Sequence, residues 1–74
     1  MINSMKIFFN SRIYKKRIIL SSIDEFNHIA DFKLKNKKDI FELSIDNIDS
    51  EYKDVIEEEF CNYVLSLMHK FSSK

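Results

Sequence analysis

Three consecutive carboxylates, Glu57, Glu58 and Glu59, stand just before the only cysteine, Cys61, in the stretch EEEFCNYVLSLM at residues 57–68. Carboxylates and thiolates ligate metals, and a thiolate becomes a nucleophile when a base activates it. The histidines, His28 and His69, could add nitrogen ligands. The spacing argues against convergence. On a helical wheel Phe60, Tyr63, Val64 and Leu67 share an apolar face. Glu58, Asn62, Ser66 and His69 follow one another at intervals of four, four and three and form a polar stripe. Cys61 falls on the seam beside Glu57, Leu65 and Met68, where a free cysteine acts as a small hydrophobe. A metal cluster of Cys61, His28 and Glu57 would need ligands from separate elements, and no base neighbours Cys61 in sequence. His69 reads as a favourable cation near a helix C-terminus. Asn62 is the oddity, a poor helix-interior residue that faces water, caps a backbone group or meets a partner. The expectation is a protein that is not an enzyme and holds no cofactor or metal. The alternatives are a small metal- or thiol-dependent enzyme subunit using Cys61, or a nucleic-acid-binding module.

Five elements must position these residues. MKIFF, residues 5–9, is short, apolar and aromatic, as a strand is. The segment YKKRIILSSIDEFNHI, residues 14–29, has Ile19, Ile23 and Phe26 at helical spacing, with Ile18 and Ile29 widening the stripe. Its charges oppose the helix dipole, with Lys15, Lys16 and Arg17 first and Asp24 and Glu25 late. ADFKLKN and DIFELSID alternate with the period of half-buried strands, and Asn36 and Asp39 lie at the hairpin between them. A second helix is expected from NIDSEYKDV, with Asp49 or Ser50 as N-cap and an apolar stripe from Tyr52 through Val55, Ile56, Phe60, Tyr63, Val64, Leu67 and Met68 to Phe71. Phe8, Phe9, Phe32 and Phe41 are expected in the core. The chain has no Gly and no Pro, so any positive φ must fall on Asn or Asp, and no Gly-rich phosphate loop can form.

The order strand, helix, strand, strand, helix predicts an α+β fold of two layers. A three-stranded sheet carries both helices on one face, as in a ferredoxin-like domain lacking its last strand. It forms a single domain over residues 1–74, with an ordered core of about residues 5–71. Such a sheet has open edges, which a homodimer or an added peptide strand would cover.

The chain's 74 residues make a small core, and the lone cysteine excludes an internal disulfide. That cysteine fits a reducing compartment, and at the N-terminus the basic residues follow the apolar patch, the reverse of a signal peptide. A cytoplasmic protein is therefore expected, and no apolar run suits a membrane span. A net charge of +0 argues against a general nucleic-acid binder. The charges are nevertheless divided. Lys6, Arg12, Lys15, Lys16 and Arg17 precede the first acid, whereas residues 46–59 hold seven acids against Lys53 alone. Folding that brings the two regions together would neutralise them; otherwise they favour pairing within a dimer or with a charged partner.

The whole pattern resembles the HxsD-like proteins. The resemblance runs from Lys6 to Met68 and rests on the N-terminal strand, IYKKRIILSSIDEF, ADFKL and EEEFCNYVL. Its most specific part is the acidic-Phe-x-Asn-x-x-Leu run of Glu59, Phe60, Asn62 and Leu65. These are small proteins encoded with radical-SAM enzymes in His-Xaa-Ser peptide-maturation systems. The resemblance implies an accessory role in modifying a ribosomal peptide, as partner of the radical-SAM enzyme or of the precursor peptide. The expected partner-binding residues are Arg12, Lys15, Lys16 and Arg17, which would steer an acidic segment, together with Glu58 and Asn62.

Overall fold

The computed structural model describes residues 4–72. In chain order the elements are β1 (Met5–Asn10), α1 (Lys16–Phe26), β2 (Asp31–Asn36), β3 (Ile40–Asp46) and α2 (Ile56–Ser72). The strands form one sheet in the order β1-β3-β2, and both outer strands run antiparallel to β3. β1 and β2 are therefore parallel but separated by β3, which is the split βαβ arrangement of ferredoxin-like domains without the last strand. Both helices cover one face.

The period-two pattern decides which face that is. Ile7 and Phe9 of β1 and Phe41, Leu43 and Ile45 of β3 turn inward and are buried; Phe32 and Leu34 of β2 are half-buried. Against them pack Ile18 and Ile19 of α1 and Ile56, Phe60 and Val64 of α2. Phe60 is the centre of this core. Its ring stacks on Phe32 at 5.4 Å and meets Phe26 edge-on at 5.4 Å and Phe9 at 6.4 Å. Ser22 is the polar residue buried beneath α1, and its hydroxyl donates to the Ile18 carbonyl at 2.9 Å. Bonding back along its own helix satisfies the group without a partner from another element.

Turns are made without glycine. Asn47 adopts φ 51° after β3, where asparagine tolerates the left-handed region best among the residues this chain possesses. Its side-chain amide donates to Asp31 Oδ2 at 2.7 Å. The β2–β3 hairpin closes on Lys37 and Ile40, whose backbones exchange hydrogen bonds of 2.8 and 3.4 Å around Lys38 and Asp39.

Three local expectations are corrected. The second helix begins at Ile56, not at Asp49 or Ser50. Asp49 instead accepts the Glu51 N–H on its carboxylate at 3.1 Å and the Tyr52 N–H on its carbonyl at 2.8 Å. Those short-range bonds make turns across residues 50–55 that compete with a helix. The first helix is also shorter than its apolar stripe, ending at Phe26 while Ile29 is buried in the following turn. Phe8 is not core. It points to the helix-free side of the sheet and is 59% exposed.

Candidate functional site

Alternating direction sorts the connections to two ends of the domain. β1 ends beside the start of β3, where the Ser11 N–H donates to the Asp39 carbonyl at 3.0 Å. The chain turns there, with Asn10 Oδ1 accepting the Arg12 N–H at 2.8 Å, and α1 sets off back along the sheet. α2 returns to the same end, placing the Arg17 guanidinium over the Phe71 ring at 5.7 Å. At the other end the α1–β2 turn meets the β3–α2 connection, where the Asp49 N–H donates to the Ile29 carbonyl at 2.8 Å.

The charges follow that sorting. Arg12, Lys15, Lys16, Arg17, Lys35, Lys37, Lys38 and Lys70 lie at the first end, with the acids Asp39 and Glu42 among them. Asp24, Glu25, Asp31, Asp46, Asp49, Glu51, Asp54, Glu57, Glu58 and Glu59 lie at or near the second, with the bases Lys6 and Lys53. Apart from Lys6 at the start of β1, folding does not bring the two charged regions of the sequence together. It adds the hairpin lysines to one and the end of α1 to the other. The expected partner-binding residues consequently divide. Arg12, Lys15, Lys16 and Arg17 form an exposed basic group, whereas Glu58 and Asn62 lie on the outer stripe of α2, away from it. Asn62 lines a shallow, open depression with Phe26, Glu59, Tyr63 and Ser66.

At the basic end the first turn of α1 and the last turns of α2 form a partly open cavity of about 110 Å³. Ile13, Ile18, Met68 and Phe71 supply its apolar lining, and Lys15 and Arg17 its charged rim. Ile13 and Phe71 are exposed at this end, so the cavity is the inner part of an apolar patch ringed by cations.

The helix-free face of the sheet has its own centre, which strand alternation alone does not disclose. Glu42, on the middle strand, is only 4% exposed although no helix covers it. Lys37 Nζ reaches its Oε1 at 2.8 Å and Lys6 Nζ its Oε2 at 3.3 Å. The hydrogen bond from Lys37 is the main cause holding its carboxyl below the usual value of 4.5. Burial opposes this, and Lys6 assists. Phe8 and Lys35 flank Glu42 from the two neighbouring strands. The sequence signal is an acid in the middle strand with lysines in the segments on both sides. Reading it requires the register.

Cys61 is half-buried on the seam of α2, as its wheel position indicates. Desolvation raises its thiol pKa above 9.0, and the neighbouring Glu57 carboxylate raises it further, so the group is a thiol at neutral pH. Among the described residues no three His, Cys, Asp or Glu side chains are grouped to hold a metal ion. No described helix is long and apolar enough to cross a membrane. No family model, curated protein or solved structure matches the chain.

Proposed function

We propose that this chain is a non-enzymatic, dimeric accessory protein of the cytoplasm that binds a protein or peptide partner through an open sheet edge and a basic patch. The observation that carries the reading is the outer edge of β1. It is unpaired among the described residues and runs directly into the Arg12, Lys15, Lys16 and Arg17 group. An extended segment laid along Met5–Asn10 would gain backbone hydrogen bonds, and acidic residues beyond it would meet the cations. Together with the sequence resemblance, this makes a radical-SAM enzyme, or its ribosomal precursor peptide, the proposed partner.

The thiol-enzyme alternative is less well supported, because Cys61 lacks the lowered pKa of a nucleophile. A nucleic-acid reading gains Phe8 as an exposed ring on the sheet face. It loses two of that face's lysines, Lys6 and Lys37, to Glu42. Backbone hydrogen exchange tests the edge. The outward amides of Met5–Asn10 exchange freely in the protein alone and become protected when the radical-SAM enzyme or precursor peptide is added. Binding that leaves β1 exchange unchanged refutes strand addition.

A further inference from the structure

We propose that copies of this chain associate end to end, with Val55 of one copy seated in the cavity at the basic end of the next. The cavity holds about 110 Å³, lined by Ile13, Ile18, Met68 and Phe71 and rimmed by Lys15 and Arg17. A cavity of about 150 Å³ takes a benzene ring, so this one has room for a smaller apolar group. An isopropyl group has three carbons. A simple anion would leave the apolar lining unused.

The chain itself carries the matching knob. Val55 is 39% exposed at the acidic end, where the Glu59 N–H bonds to its carbonyl and so begins α2. That helical geometry places Glu58 and Glu59 three and four positions on, beside Val55, with Asp54 preceding it. An apolar knob collared by carboxylates thus faces, in a second copy, an apolar cavity collared by cations. Complementary potentials of this kind guide encounter and set orientation. The contact is between unlike surfaces, so it builds a chain of copies, or closes as a two-fold pair if two such contacts form at once. It leaves the β1 edge free but occupies Lys15 and Arg17, so acidic residues of a partner laid along β1 would compete with it.

The test is sedimentation velocity on the full chain and two single variants, Arg17→Glu and Val55→Asp. Val55 is exposed just before the first residue of α2, where the helix dipole favours a carboxylate, and Arg17 is exposed, so circular dichroism should report intact folds. The expected result is association of the parent at 50 mM salt, with affinity falling about tenfold or more at 500 mM, since screening shortens the reach of charges from about 14 Å to about 4 Å. Each variant alone should be monomeric. An equimolar mixture should recover a 1:1 complex, because Arg17→Glu keeps an intact acidic end and Val55→Asp an intact basic end. A parent that is monomeric under all these conditions overturns the proposal. So does a variant that still associates like the parent, or a mixture that stays monomeric. Val55→Asp retains both the β1 edge and the basic patch, so partner-dependent protection of β1 in that variant tests the accessory function separately.

Discussion

Phe60→Ala removes the ring on which both layers of this domain converge. Phe60 is 0% exposed and contacts the rings of Phe9, Phe26 and Phe32. Burying such a side chain contributes about 1.5–3 kcal/mol, and the cavity left behind raises the cost of truncation to about 3–5 kcal/mol. A chain of 74 residues has a total stability of about 4–11 kcal/mol at the usual ~0.05–0.15 kcal/mol per residue. The substitution therefore removes a large share of the whole. At about 4–8 °C per kcal/mol for a domain this small, the melting temperature falls by at least about 12 °C. Urea titration followed by circular dichroism gives the free energy directly. The stacked pair with Phe32 adds a finer test, because ring pairs contribute about 0.5–1.5 kcal/mol beyond their area. A double-mutant cycle with Phe32→Leu and Phe60→Leu should return a coupling of that size. A loss below about 1 kcal/mol for Phe60→Ala would refute the placement of Phe60 at the centre of the core, because a truncation there cannot be that mild.

Other perturbations probe the turns and the polar centre. Glu42 has its carboxyl pKa depressed in the folded state, so its stabilising contribution is present above the unfolded value near 4.5 and lost as pH falls through the folded value. Glu42→Gln should accordingly flatten the acid limb of the stability profile below that pH, and an acid limb identical to the parent's would contradict the pairing. Asn47→Ala should cost about 1–2 kcal/mol, because alanine bears the left-handed strain that asparagine tolerates. Asn47→Gly should cost less, since glycine takes φ 51° freely and forfeits only the amide bond to Asp31; equal losses in thermal melts would show that the hydrogen bond dominates. Cys61 should react slowly with a maleimide at neutral pH and faster as pH rises past 9.0, the rate following the thiolate fraction. Fast labelling at pH 7 would reopen the nucleophile reading.

The wheel of residues 57–68 was legible from spacing alone. Phe60 and Val64 are fully buried, Glu58, Asn62 and Ser66 are exposed, and Cys61 lies on the seam. The element order was legible too, because periods of 2 and 3.6 differ enough to separate strands from helices. So was the need for asparagine or aspartate at a positive φ, since glycine is absent. The exposure of Phe8 is not legible in the sequence, because MKIFF is apolar at neighbouring positions and alternation cannot say which of two adjacent phenylalanines turns inward. The start of α2 is not legible either, because Asp49 is a good capping residue for a helix and for a tight turn alike, and only the observed bonds distinguish the two.

The sequence alone determined composition, periodicity and the separation of basic from acidic segments along the chain. These are properties of residues and their near neighbours, and they dictate which elements form. Tertiary structure decided what no local rule contains. The register of β1 and β2 on β3 put Lys6 and Lys37 on one carboxylate. The antiparallel run of α1 and α2 closed a cavity between the residues around Ile13 and Phe71, which lie far apart in sequence. The return of each element across the sheet carried like charges from distant segments to a common end. Coulombic and packing terms depend on distance in space, and the topology of the fold sets that distance.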